Sequence, residues 1–209
     1  KKFIKSALPV FGLVILTYIP YVYHRYLLSM LGEGVVSWYT YAYKLVRVPI
    51  KIYSLTLILL MFIDISKKIA SNQKNEIIEI FRKGLKVSIL LILPMVVFIY
   101  NFSFNVVEVL LARGKFSLLD TEQVSMALSI FSPYILIVFI FSVYNIIVWG
   151  LKEIKPLVKI TLITSVINLV LSYLGARYFG LNGVIFAVNV SLLVGIVLIR
   201  NIVKRRVES

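Results

Sequence analysis

Lys44, Arg47 and Lys51 lie inside an otherwise apolar run from Trp38 to Ile63, spaced i, i+3 and i+7. On an α-helix turning about 100° per residue they fall within about 60° of one another, so they form one stripe. Arg25 stands beside His24 near the end of the preceding apolar run. Ammonium and guanidinium groups recognise phosphate, the first as point charges and the second through paired hydrogen bonds, so a diphosphate headgroup is a natural guest for such a stripe. Each cation costs about 2.5–3.5 kcal/mol near the centre of a bilayer, so three together need compensation. The sequence leaves three sources open: a water-filled cavity, an anionic ligand, or carboxylates from a partner. Glu108 is the one acid within an apolar run, near its end, where it could reach Lys44 or face headgroups.

The elements that position these residues are membrane spans. The chain has 209 residues, 60% hydrophobic and 15% charged, with a mean hydropathy of +0.96. That composition excludes an ordinary water-soluble domain. A helix needs about twenty apolar residues to cross roughly 30 Å of hydrocarbon. Cutting at the polar clusters gives six spans, at about 7–30, 38–63, 85–111, 124–150, 157–175 and 184–199. These continuous runs are unlike the alternating strands of a transmembrane barrel, so the expected fold is an all-α, six-helix membrane bundle over 1–209. Pro20, Pro49, Pro94 and Pro133 fall inside spans and favour kinks. The chain begins at Lys1 and not Met, which reads as a processed chain or a piece of a longer one. The first run is too long for a signal peptide and lacks a small-residue cleavage site, so it reads as a retained helix.

Charge asymmetry sets the expected orientation. Of the 23 Lys and Arg residues, sixteen precede the first span, lie in or at the edge of alternate loops, or follow the last span: Lys1, Lys2, Lys5, Lys67, Lys68, Lys74, Arg82, Lys83, Lys86, Lys152, Lys155, Lys159, Arg200, Lys204, Arg205 and Arg206. The opposite loops hold only Arg113, Lys115 and Arg177. The positive-inside rule then places both termini in the cytoplasm. The segment at about 72–83 is too polar to cross, yet Ile77, Ile78, Phe81 and Leu85 recur at helical spacing. It reads as an amphipathic helix along the inner surface, capped by Asn72 or Asn75 and ended by Gly84.

Other chemistries are poorly supported. With no cysteine and His24 as the sole histidine, neither a disulfide framework nor a metal cluster is expected, and no cofactor is implied. No span holds a nucleophile, a base and an orienting group, so the chain does not read as an enzyme. The basic balance, net +14, is divided among apolar runs and not gathered on one solvated face, which argues against nucleic acid. His24 reads as a helix–helix hydrogen-bonding group ahead of a proton relay. Tyr18, Tyr21, Tyr23, Tyr26, Tyr39, Tyr41, Tyr43 and Tyr53 crowd the first two spans and could form an interfacial belt or line a cavity.

Around the stripe a family becomes recognisable. Gly34-Val35-Val36-Ser37-Trp38-Tyr39-Thr40-Tyr41-Ala42-Tyr43-Lys44-Leu45, with Pro49 following, resembles the G-x-V-S-x-x-x-Y-A-x-[RK]-L-x-x-x-P stretch of the MurJ/MviN lipid II flippases. Arg113-Gly114-Lys115-Phe116, then Asp120 and Ala127-Leu128, is similar to that family's R-G-x-F…D…A-L signature. Lys155-Pro156 resembles its cytoplasmic turn, and Asn168 with Gly180-Leu181-Asn182-Gly183 its later N…G-L-x-G pattern.

The resemblance runs from about Leu8 to Ile199 and implies helices seven to twelve of a fourteen-helix, two-bundle transporter of the MOP superfamily. It implies a cationic cavity through which lipid II crosses the bacterial plasma membrane by alternating access, and an N-terminal six-helix bundle as partner. Lys44 aligns with a cavity arginine of the family, and Arg47, Lys51 and Arg25 join it as candidate substrate-binding residues. The sequence departs from the pattern at Tyr43, where the family often has an acid, and around His24, where it often has Asp. O-antigen flippases and multidrug exporters are nearby alternatives, and a non-transporting scaffold for cell-wall enzymes is one of another class. A drug exporter for cations would want carboxylates where this stripe carries positive charge.

Orientation is tested with single cysteines, since the sequence supplies none. Cysteines replacing Asp120 and Asn182 are expected to react with an impermeant thiol reagent outside intact cells, and one replacing Lys74 is not; the reverse pattern would invert the topology.

Overall fold

The computed structural model describes residues 2–71, 73–151 and 154–207, with the side chains of 2–10, 74, 206 and 207 excepted. Lys1, Asn72 and Lys152, three residues used in the sequence reading, lie outside that set. The described chain is helical almost throughout: α1 Lys2–Ser29, α2 Val35–Tyr53, a π-helical turn Ser54–Ile58, α3 Leu59–Ala70, α4 Lys74–Asn101, α5 Ser103–Leu111, α6 Leu118–Gly150 and α7 Ile154–Val207. Among the described residues, four stretches are long and apolar enough to cross a membrane: Val35–Ala70, Asn75–Asn101, Leu118–Gly150 and Ile154–Arg205.

At the centre stands α6, which packs against α2, α3, α4, α5 and α7. It carries no charged residue from Gln123 to Gly150. A helix that is apolar on all sides belongs in the interior of a bundle, and Phe131, Ile135, Phe139, Val143 and Ile147 are buried accordingly. Its N-terminus is firmly stopped. Ser117 accepts from the backbone of Asp120 while the Asp120 carboxylate accepts from Ser117, a reciprocal capping box. Pro133 is accommodated without ending the helix.

The last two expected spans are one helix by hydrogen bonding but two arms in space, folded at Gly180 with φ 59° and ψ −137°. Only glycine adopts that backbone readily. The arms run antiparallel. Asn168 donates to Ser191, and a Cβ placed on Gly195 would sit 3.2 Å from the Thr164 methyl. Nearer the fold, Gly175 and Gly183 meet backbone to backbone: a Cβ added at Gly175 would lie 2.5 Å from the Gly183 carbonyl oxygen. Small residues at a crossing let helices approach this closely in a membrane, where packing and not hydrophobicity drives association.

Three details differ from the sequence reading. Gly84 does not end an amphipathic segment, because α4 runs unbroken from Lys74 to Asn101 and Gln73 occupies its N-cap position in place of an asparagine. Ile77 is buried and Phe81 packs edge-on to Tyr144, so tertiary contact carries the helix across a residue of poor propensity. The expected third span breaks at Phe102, which separates α4 from the nine-residue α5. The second span changes pitch, passing from α2 through the π-helical turn to α3. Pro49, which has no amide hydrogen to donate to Leu45, stays within α2, and the wider turn follows it.

Replacing Gly183 with Val is expected to push the two arms apart and destabilise the bundle by about 1–3 kcal/mol, read as a lower melting temperature of the detergent-solubilised protein. An unchanged melting temperature would mean that the close crossing carries no weight.

Candidate functional site

The two faces of α2 do opposite work. Val35, Tyr39, Ala42 and Val46 are buried, and at about 100° per residue they centre on one direction. Lys44, Arg47 and Lys51 lie roughly 120–180° away from it, and all three are exposed. The stripe therefore points out of this bundle, away from its own core. All three cations belong to the regular α-helical stretch ahead of the π-helical turn, so the angular argument applies throughout.

Beneath the cations lies a bed of tyrosines. The Arg47 guanidinium sits 5.4 Å from the Tyr43 ring centroid, Lys44 Nζ is 5.7 Å from that of Tyr41, and Arg25 is 4.6 Å from that of Tyr21. Tyr21 and Tyr43 are themselves 6.0 Å apart, so Arg25 on α1 and Arg47 on α2 flank one pair of rings. Tyr43 stacks on Tyr39 at 5.9 Å with 12° between planes, and both rings pack on Phe131 of α6. Ring faces favour cations, but a neutral π-system does not replace a counter-anion. Among the described residues none of the four cations is in an ion pair; Lys68 and Glu76 do form one, on other elements. Glu108, on α5, is exposed and makes no ion pair with Lys44.

Behind this face sits a polar knot. His24 is buried at 3% exposure. Its Nδ1 lies 3.0 Å from the Tyr39 hydroxyl, and its Nε2 lies 2.7 Å from Asn168 Oδ1 and 3.0 Å from Ser172 Oγ. Asn168 uses its amide nitrogen to donate to Ser191 at 2.9 Å, so its oxygen faces His24 and must accept. Nε2 then carries a proton and donates to it, while Nδ1 meets the Tyr39 hydroxyl, so both ring nitrogens are satisfied. Close by, Ser165 donates to the Leu16 carbonyl at 3.0 Å. The knot joins α1, α2 and both arms of α7, and it lines a cavity of about 230 Å³ together with Tyr21, Tyr43 and Tyr134.

A second lock holds the beginning of α2. Trp38 Nε1 donates to Asp120 Oδ1 at 2.7 Å, tying α2 to the capping box of α6. The Trp38 indole, and after it the Ser117 donors, hold the Asp120 carboxyl below the usual carboxylate range. Trp38 and Asp120 both fall in the recognised motifs, yet nothing in the sequence pairs them. Gly34, at φ 83°, sets the turn into α2.

The structure thus aligns Lys44, Arg47 and Lys51 on one open face, sets Arg25 next to it, and buries His24 as a helix–helix hydrogen-bonding group. Asn168, Ser172 and Ser191 are the partners that sequence reasoning did not supply. Their signal was polar residues inside apolar runs, with no indication of what they meet. Among the described residues, no three His, Asp or Glu side chains gather as metal ligands.

This arrangement has close counterparts. The chain superposes on the structure titled "Lipid II flippase MurJ, inward closed conformation" with a TM-score of 0.86 at 21% identity, over 97% of this chain and 43% of that one. It also superposes on an outward-facing multidrug resistance MATE family transporter of the MOP superfamily, with a TM-score of 0.77 at 17% identity, over 97% of this chain and 45% of the other. The fold is thus shared with part of each of these two structures. Sequence narrows the class. The family model described as lipid II flippase MurJ matches residues 1–209, and the chain belongs to that family. A probable lipid II flippase MurJ of Buchnera aphidicola subsp. Acyrthosiphon pisum is 25% identical over 182 residues, 87% of this chain and 36% of that protein. One of Borreliella burgdorferi is 21% identical over 180 residues, 86% of this chain and 36% of its own length. The chain therefore spans about a third of the length of these curated relatives. It is a multi-pass membrane protein of a transporter family and not an enzyme.

His24→Ala is expected to leave Asn168 Oδ1 and the Tyr39 hydroxyl unpaired and to destabilise the bundle by about 1–3 kcal/mol. Thermal unfolding in detergent measures it; a melting temperature equal to wild type would show that the knot contributes nothing.

Proposed function

We propose that this chain is the C-terminal six-helix bundle of a lipid II flippase, and that Lys44, Arg47, Lys51 and Arg25 bind the diphosphate of the lipid-linked peptidoglycan precursor during alternating access. One observation carries the reading: four cations on the open side of α1 and α2, outside the bundle core, without an ion-pair partner among the described residues. Family membership supplies the substrate class. The missing length corresponds to a second bundle facing the stripe, and a hydrated cavity between the two would lower the cost of charge that hydrocarbon imposes.

The chemistry suits a substrate that must be both held and released. Arg47 offers a planar fork for paired hydrogen bonds to phosphate oxygens, and Lys44 and Lys51 offer compact charges one turn to either side. The absence of a nearby carboxylate leaves the attraction uncancelled. Charge-assisted contacts are worth about 1.5–3 kcal/mol each, so a few suffice for binding without forming a trap. The tyrosine bed fixes where the cations stand.

In this reading the protein resides in the bacterial plasma membrane, both termini face the cytoplasm, and the sixteen-cation end of the bundle is the inner one. The alternative of another class, a non-transporting scaffold for cell-wall enzymes, is separated by the stripe itself.

In the full-length protein, Lys44→Gln, Arg47→Gln and Lys51→Gln are each expected to lower lipid II export by about ten-fold or more, with the triple variant failing to support growth at normal expression. Lys44→Arg should retain most activity. Wild-type growth and export in the triple variant would remove these residues from transport while leaving the family and the fold intact.

A further inference from the structure

A sizeable cavity lies away from the stripe. It is a groove of about 640 Å³ between the two arms of α7, with Lys155, Lys159 and Arg205 at one end and Ile163, Leu198 and Ile202 along it. We infer that this groove binds an anionic phospholipid, phosphate between the lysines and acyl chain along the isoleucines, at a site separate from the substrate stripe.

The geometry follows from the antiparallel arms. On the first arm Lys155, Lys159 and Ile163 are spaced i, i+4 and i+8, one face descending about 6 Å per step. On the second arm Arg205, Ile202 and Leu198 descend along a matching face. Because the arms run in opposite directions, both cationic ends coincide and both apolar stretches share one depth. A groove that is cationic at one end and apolar along its length complements an amphiphile with a phosphate head, and neither a soluble anion nor an uncharged lipid satisfies both parts. Lys155, Lys159 and Ile163 are exposed and Leu198 and Ile202 half-buried, so the groove opens on the bundle surface.

Its end of the molecule is the cation-rich one. Arg82 of α4 lines an adjoining crevice of about 140 Å³ together with Arg200 and Lys204 of α7, which places the beginning of α4 and the end of α7 side by side. Basic residues at a membrane surface attract anionic headgroups individually; here two lysines on one helical face are set over an apolar channel, which adds position to charge. No residue of the groove lies on α1 or α2, so the site shares nothing with the Lys44 stripe.

The test is native mass spectrometry of the full-length protein titrated with phosphatidylglycerol or phosphatidylcholine. Wild type is expected to retain phosphatidylglycerol at least about five-fold better. Lys155→Gln with Lys159→Gln should remove that preference, and Arg82→Gln with Arg200→Gln in the adjoining crevice should leave it. A photo-crosslinking amino acid at Asn201, which also lines the groove, should capture phosphatidylglycerol in preference to phosphatidylcholine whether or not the lysine variant folds. The proposal is overturned by an absent preference in wild type, by a preference surviving the lysine double substitution, or by equal loss in the crevice variant. It is also overturned if the Asn201 probe does not discriminate, if millimolar inorganic phosphate displaces the lipid, or if undecaprenyl diphosphate displaces it, which would make the groove a substrate station.

Discussion

A cation in hydrocarbon needs water, an anion or a partner, and α2 is organised around that requirement. One face of the helix is given to the core through Tyr39, Ala42 and Val46, and the opposite face carries Lys44, Arg47 and Lys51. Turning α2 by half a revolution would bury three charges among Phe131, Ile135 and Val184, a region with no carboxylate to receive them. Burial of unpaired charge is among the costliest errors a fold can make. The rotation of this helix is thereby fixed, and with it the direction in which its cations face.

The polar contacts behind the stripe hold that rotation. Contact passes from Arg47 to Tyr43, from Tyr43 to Tyr39, from Tyr39 to His24, and from His24 to Asn168 and Ser191 on the two arms of α7. Every polar atom of the His24 ring in that sequence is engaged. Buried networks of this kind specify one arrangement, because any shift leaves groups unsatisfied. At the other end of the stripe the backbone changes character: Lys51 is followed within one turn by the π-helical turn Ser54–Ile58, where regular hydrogen bonding is interrupted. The cation-bearing part of the second span is therefore pinned at Trp38 and Tyr39 and bounded below by a less regular joint.

The sequence announced the broad architecture because apolar length and charge asymmetry are local properties. Runs of about twenty apolar residues, five charged interruptions and the i, i+3, i+7 spacing could all be read in order. What could not be read depends on long-range contact. Gly84 looked like a stop, but α4 continues there because Ile77 and Phe81 pack into the buried cluster around α6. The partners of His24 on α7 lie 144 and 148 residues away, beyond the reach of any periodicity. The stripe itself was legible as a stripe, yet only the buried positions on the same helix reveal that it faces out of this bundle. The recognised motifs pointed to Trp38, Asp120 and Asn168 without saying that the first two bond to each other and that the third bonds to His24.

In the proposed function the open cationic face of α2 receives a diphosphate headgroup. Protection of a cysteine placed next to the stripe tests it directly: Val48→Cys, an exposed position adjacent to Arg47, would be labelled in the full-length protein with and without undecaprenyl diphosphate or undecaprenol. The diphosphate lipid is expected to slow labelling and the uncharged lipid is not, and Arg47→Gln is expected to abolish the difference. Equal protection by both lipids, or protection that survives Arg47→Gln together with Lys44→Gln and Lys51→Gln, would contradict it.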